Sequence, residues 1–191
     1  MKSIKLSKEI SSGFLVVGLS KSGGKLQIES GLAKLDEKKL LTILTNLGAT
    51  GNADEIVKVP NSKPETIIFT GLGEKIKKYD HETLRRAAGA AARALEGQFA
   101  ATFSLPISDL ADLSAIAEGL SLGAYSFTEF RGATKKDQKS ILQEAEILTN
   151  LNNAEAKSLV KRAQILAKNS YLIRDLINTP PSHLTPSIFA T

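Results

Sequence analysis

Hydrophobic positions along the chain follow two alternating rhythms: short apolar runs, and spacings of three and four residues. Ile4 and Leu6 open a first short strand, and Gly13-Phe14-Leu15-Val16-Val17-Gly18-Leu19 is a nearly continuous apolar run. Such a run marks a strand covered on both faces. Leu35, Leu40, Leu41, Leu44 and Leu47 then keep a helical spacing, which Gly48 and Gly51 stop. Residues 55–59 and 66–70 predict two more strands, divided by the turn Pro60-Asn61-Ser62-Lys63-Pro64. A helix follows over about 80–95, with Asp80 placed to cap it, Glu82 at its positive end and Gly97 at its exit. Its centre, Ala87-Ala88-Gly89-Ala90-Ala91-Ala92, has almost no side-chain bulk and can lie very close to a sheet.

Residues 102–105 predict the next strand, and Leu113, Ile116, Ala117, Leu120, Ala124 and Phe127 the face of another helix. A last strand-like stretch covers 141–148, and a long helix runs from about 154 to 177. Strands alternating with helices imply an α/β fold, a mixed or mostly parallel β-sheet flanked by helices. Asn178-Thr179-Pro180-Pro181-Ser182-His183 ends the long helix, because the first proline disfavours helical geometry at Thr179. Thr185-Pro186-Ser187 reads as the start of another helix, after which only Ile188-Phe189-Ala190-Thr191 remains. The chain is therefore expected to be a piece of a longer one.

Composition narrows the function classes. With 42% hydrophobic and 24% charged residues among 191, the chain is that of a soluble globular protein rather than a disordered one. The absence of cysteine excludes disulfide scaffolds, thiolate metal sites and cysteine nucleophiles. Twenty-five basic and 20 acidic residues leave a net charge of +5, but the lysines are scattered. The densest groups (Lys75, Lys77, Lys78, and Lys135, Lys136, Lys139) are short and are not interleaved with aromatics. At 5% aromatics and no Trp, a base-stacking nucleic-acid platform is disfavoured, and weak electrostatic binding to polyanions stays open. No apolar run approaches the ~20 residues of a membrane span. Lys2, Lys5 and Lys8 ahead of the 14–19 run imitate a signal peptide, yet Glu9 interrupts them and Ser20-Lys21-Ser22 is no cleavage site. A cytoplasmic location without a membrane partner is expected.

Candidate chemistry is sparse. Gly119-Leu120-Ser121-Leu122-Gly123 matches the G-x-S-x-G nucleophile elbow, but it lies inside a helical period with no strand before it. Close helix packing by two small residues is the expected role. His81-Glu82-Thr83-Leu84-Arg85 begins like the H-E-x-x-H zinc helix with arginine at the second ligand position, and His183 is the only other histidine. Thr70-Gly71-Leu72-Gly73 follows a strand like a phosphate-binding loop, although Ile76 replaces the third glycine and the helix begins too late. Turn glycines are expected there, with a nest of backbone N–H groups as the alternative. Glu118 and Glu129, the carboxylates nearest Ser121 in sequence, read as a solvated helix face. No catalytic, cofactor-binding or metal-binding residue is assigned.

Several segments together resemble the leucyl (cytosol) aminopeptidase family, peptidase family M17. Glu118-Gly119-Leu120-Ser121-Leu122-Gly123-Ala124-Tyr125-Ser126-Phe127 is similar to that family's E-G-x-x-L-G-A-Y-x-F stretch. Arg174-Asp175-Leu176-Ile177-Asn178-Thr179-Pro180-Pro181 with Leu184-Thr185-Pro186 resembles its R-D-L-x-N-x-P-x-x-x-L-x-P junction. The Gly71-Leu72-Gly73 loop and the Leu84-Arg85-Arg86-Ala87-Ala88-Gly89 helix fall in the expected order between the strands.

The resemblance covers the family's N-terminal region. It implies a macro-domain-like α/β domain over 1–152, a connecting helix over 153–178, and the truncated start of a C-terminal catalytic domain over 179–191. In that family two divalent metal ions, zinc or manganese, are held by carboxylates and a lysine of the catalytic domain. An N-T-D-A-E-G-R-like segment that supplies ligands there is absent here, so the piece itself is expected to be inactive and without cofactor. The implied partners are the catalytic domain of the same chain, peptide substrates and sister chains in a hexamer. The alternative is a macro-like nucleotide, ADP-ribose or polyanion binder.

Overall fold

The apolar run at 14–19 becomes the middle of the sheet. In the computed structural model, which describes residues 1–130, 132 and 139–185, β2 (Phe14–Ser22) is buried from Leu15 through Ser20. The parallel strands β5 (Thr66–Glu74) and β6 (Ala100–Ser104) flank it. Outward from β6 lie β7 (Glu144–Leu148) and β1 (Ser3–Ser7), both parallel, and beyond β5 lies antiparallel β4 (Ile56–Pro60). The seven-stranded order is β1-β7-β6-β2-β5-β4, with β3 (Lys25–Glu29) paired to β2 off this path. Strand β6 takes β2 at Leu15–Val17 and β3 takes it at Gly18–Ser22, so two short strands share one edge. The mixed sheet is the one the pattern predicts, although its last strand begins at 144 rather than 141. The Lys135–Lys136 pair and the helix start at Pro186 lie outside the described residues.

Strand β3 is absent from the sequence reading. Its signal was the Gly23-Gly24 pair, whose φ values of 55 and 78° make the two-residue turn that right-twisted hairpin strands require. Gly71 and Gly73 correct a different expectation: they sit inside β5, not in a turn after it. A side chain at Gly71 would collide with the Asn52 carbonyl, and Gly73, at φ 81°, stands where the β2–β5 register shifts.

The alternating faces of β2 divide the core. Leu15, Val17 and Leu19, with Ile67 and Phe69, pack on Leu40 and Leu44 of α1 (Glu37–Asn46). Val16, Ile68, Phe103 and Ile147 pack on α2 (His81–Ala94) and α3 (Leu110–Gly123). Asp36, Asp80 and Asp109 cap these three helices by accepting backbone N–H groups of their first turns. The alanine-rich side of α2 does approach the sheet closely, since the Thr70 hydroxyl donates to the Ala87 carbonyl at 3.0 Å. Its other small face meets α3. A Cβ on Gly119 would strike the Arg85 carbonyl, and one on Gly123 would strike that of Gly89. The glycine pair around Ser121 is thus a helix contact, and Phe127 falls beyond the helix end.

Helix α4 (Ala154–Asn178) begins at an Asn153 cap and buries Ala156, Val160, Ala163 and Ala167. Its C-terminal half is bare: Leu172 is 61%, Ile173 58% and Ile177 76% exposed, and Ile165 and Leu166 are exposed as well.

The α2–α3 contact gives a direct test. Gly123→Ala should cost about 1–3 kcal/mol in urea unfolding, because the added methyl meets backbone that cannot turn aside.

Candidate functional site

The first turns of α2 and α3 lie side by side and collect a group of polar side chains, His81, Asp109 and Asp112. Asp109 is the cap of α3, with Oδ1 accepting from the N–H groups of Ala111 and Asp112 at 2.9 and 3.0 Å. Asp112, one turn in, reaches back to the Ser108 N–H at 2.8 Å through Oδ2. Its Oδ1 is buried without a hydrogen-bond partner and lies 3.6 Å from His81 Nε2. Lys78 closes the group, its ammonium 2.6 Å from Asp109 Oδ2. That hydrogen bond, with the cap N–H groups, holds the Asp109 carboxyl down at about 2. Sequence reasoning dismissed His81 by looking for its partner on its own helix. The partner came from α3, and the visible signal was the Asp109–Asp112 spacing of a helix start.

The other sequence candidates do not converge. Ser121 sits mid-helix in α3, 3% exposed, and its hydroxyl has no hydrogen-bond partner. Of the two histidines, His81 faces Asp112 and His183 faces Phe130, with ring centroids 4.6 Å apart. Glu118 corrects the reading of a solvated face: it accepts from Arg85 Nε and Nη2 at 3.0 and 2.9 Å and from the Ser114 hydroxyl at 3.3 Å. Glu129 lies beyond α3 and is exposed.

The family-like segments at 118–127 and 174–181 do meet. The Tyr171 hydroxyl donates to the Ser121 carbonyl, and burial pushes its pKa up to about 12. The Tyr125 hydroxyl donates to Asp175 Oδ1 at 2.8 Å and accepts from the Asn178 amide at 3.1 Å. Arg174 lies over the Tyr125 ring, 5.1 Å from its centroid, and donates to the Leu122 carbonyl at 3.3 Å. These bonds latch the bare half of α4 to the exit of α3.

Residues 16–134, from β2 past the end of α3, match the model of the cytosol aminopeptidase family, N-terminal domain. The chain belongs to the cytosol aminopeptidase family. It is 37% identical to the "Probable cytosol aminopeptidase" of Streptomyces coelicolor over 92% of its length, and 39% identical to that of Streptomyces avermitilis over all of it. It spans 38% and 42% of those two relatives, about two-fifths of their length. Among solved structures, a tomato leucine aminopeptidase mutant superposes on all of the chain with a TM-score of 0.79 at 21% identity, matching 41% of that protein. The bottromycin maturation enzyme BotP in complex with Mn covers 94% of the chain at a TM-score of 0.68 and 22% identity, matching 35% of its own length. At those identities the two structures share the fold. Within this cytosol aminopeptidase family domain, no helix of the described residues is long and apolar enough to cross a membrane.

A two-metal centre does not fit the residues described. The one grouping with metal-ligand chemistry among them is His81, Asp109 and Asp112. Three side chains are too few for two ions, and Lys78 already occupies Asp109. The positive ends of α2 and α3 also point at the spot, which disfavours a dication.

Three outcomes follow from this geometry. Tyr171→Phe should cost about 0.5–1.5 kcal/mol of stability in urea and speed hydrogen exchange in the last two turns of α4 before the core loosens. The Asp109 pair should fail in acid. Because its folded pKa lies below its ordinary 3.8, its stabilisation is complete above about pH 4 and vanishes as pH falls to about 2. In Lys78→Met the Asp109 carboxyl should titrate nearer its ordinary value, read by NMR.

Proposed function

We propose that this chain is the non-catalytic N-terminal domain of a leucyl-type metallo-aminopeptidase that removes N-terminal residues from peptides in the cytosol. The domain occupies 1–152, the connector 153–178, and the segment from 179 leads into a catalytic domain. Two divalent ions, zinc or manganese, belong to that domain, and sister chains assemble with it as a hexamer. The observation that carries the reading is the bare half of α4. Leu172, Ile173 and Ile177 form an apolar surface on a helix whose first half buries Ala156, Val160, Ala163 and Ala167, where the junction-like segment 174–186 begins. Each such side chain left in water forgoes up to about 1.5–3 kcal/mol of burial. A catalytic domain continuing the same chain supplies the cover, and family membership with two-fifths coverage of its relatives supports it. On this reading the domain shapes access to the catalytic site and carries assembly contacts.

Two measurements test it. Leucine p-nitroanilide should not be turned over by the purified 191-residue chain with manganese or zinc added, and metal-dependent turnover would sink the proposal. Sedimentation with hydrogen exchange should find the exposed apolar side of α4 buried by self-association as concentration rises. Strong protection through Ile177 in a strict monomer would show that the helix needs no cover.

A further inference from the structure

The glycine contact between α2 and α3 has an empty outer side. A trough of about 650 Å³ lies there, with Gly89, Gly119 and Gly123 among its lining and the end of α4 as its far wall. Four arginines line it, three from α2 (Arg85, Arg86 and Arg93) and one from α4 (Arg174), together with Tyr125 and Asp54. Their charge is unevenly matched. Arg85 is neutralised by Glu118 and by Glu82, at 2.9 and 2.5 Å, and Arg86 by Asp54. Among the described residues, neither Arg93 nor Arg174 has a carboxylate within ion-pair distance. The nearest acid in sequence to Arg174, Asp175, is taken by the Tyr125 hydroxyl, and Glu96 lines a neighbouring hollow with Arg93.

We propose that this trough binds a phosphate-bearing anion, with Arg93 and Arg174 as its charge partners. Guanidinium groups present paired N–H donors whose spacing matches phosphate oxygens. Arg174 is already oriented by the Tyr125 ring and the Leu122 carbonyl, so one of its faces is fixed before a ligand arrives. The volume lies within the range of small-ligand clefts, about 300–1,000 Å³, and accommodates either a free diphosphate or a nucleotide's phosphates. The site differs from the Gly71–Gly73 segment, whose backbone is committed to β5. All of its residues are in this chain, so it stands or falls apart from the peptidase reading.

Calorimetric titration of the 191-residue chain with pyrophosphate and with adenosine diphosphate, at low and moderate salt, tests the site. One saturable site is expected, weakening as salt rises. Arg93→Gln and Arg174→Gln should each weaken binding by about tenfold or more, as the loss of a charge-assisted pair does. Arg162→Gln, an equal charge change on the far part of α4, should leave it unchanged. Equal affinity for both probes identifies the diphosphate as the whole determinant, and tighter binding of adenosine diphosphate with the same arginine dependence identifies a nucleotide. Absence of saturable binding, or an Arg162→Gln loss as large as that of Arg93→Gln, would overturn the proposal. Arg93 is exposed, so its variant remains a valid test if Arg174→Gln disturbs the α4 latch.

Discussion

The close approach of α2 to α3 sets the positions of most other features. Two helices usually pack through side chains that hold their axes about 8–10 Å apart. Here Gly89, Gly119 and Gly123 let carbonyls of one helix stand where the other's Cβ atoms would be. Because the alanine face of α2 is simultaneously drawn onto β5, through Thr70 and the Ala87 carbonyl, the pair is fixed relative to the sheet. Everything on the outer side of that layer inherits its geometry. The first turns of the two helices are brought together, which places His81 beside Asp112, and Arg85 comes within reach of Glu118.

Helix α4 depends on the same contact one layer out. Its first half is held by ordinary burial of Ala156, Val160, Ala163 and Ala167. Past Ala167 the apolar residues turn away from the domain, and the hold changes from hydrophobic to polar. Tyr171, Arg174, Asp175 and Asn178 all bond to the segment 121–125 where α3 ends. A helix held by hydrogen bonds on one side and bare on the other can present its apolar side to another body without losing its register. That combination suits a connector in a family whose members run well beyond this chain's length.

The charge of the molecule also has an address. A net +5 spread over scattered lysines pointed to no particular site and left weak polyanion binding open. Among the described residues six of the lysines and arginines are paired with carboxylates, and such surface pairs contribute little to stability. The four arginines lining the trough are different because they surround an opening, and two of them, Arg93 and Arg174, have no carboxylate within ion-pair distance among the described residues.

By itself the sequence determined the order and kind of nearly every element. Apolar runs and helical spacing are local properties, and β2, β5, α2 and α4 carry them strongly. It also carried family membership, since the segments at 118–127 and 174–186 are fixed strings of residue types. The Gly23-Gly24 hairpin was legible and went unread, because Lys25-Leu26-Gln27-Ile28-Glu29 has only two apolar residues to mark a strand. What only the tertiary structure decided are the pairings between elements. His81 with Asp112, Arg85 with Glu118, Tyr125 with Asp175 and the arginine trough each join residues about 30 to 90 positions apart, brought together when α2, α3 and α4 pack. No local pattern encodes those distances. They are set by how closely two helix backbones can approach, and that was settled by the absence of three side chains.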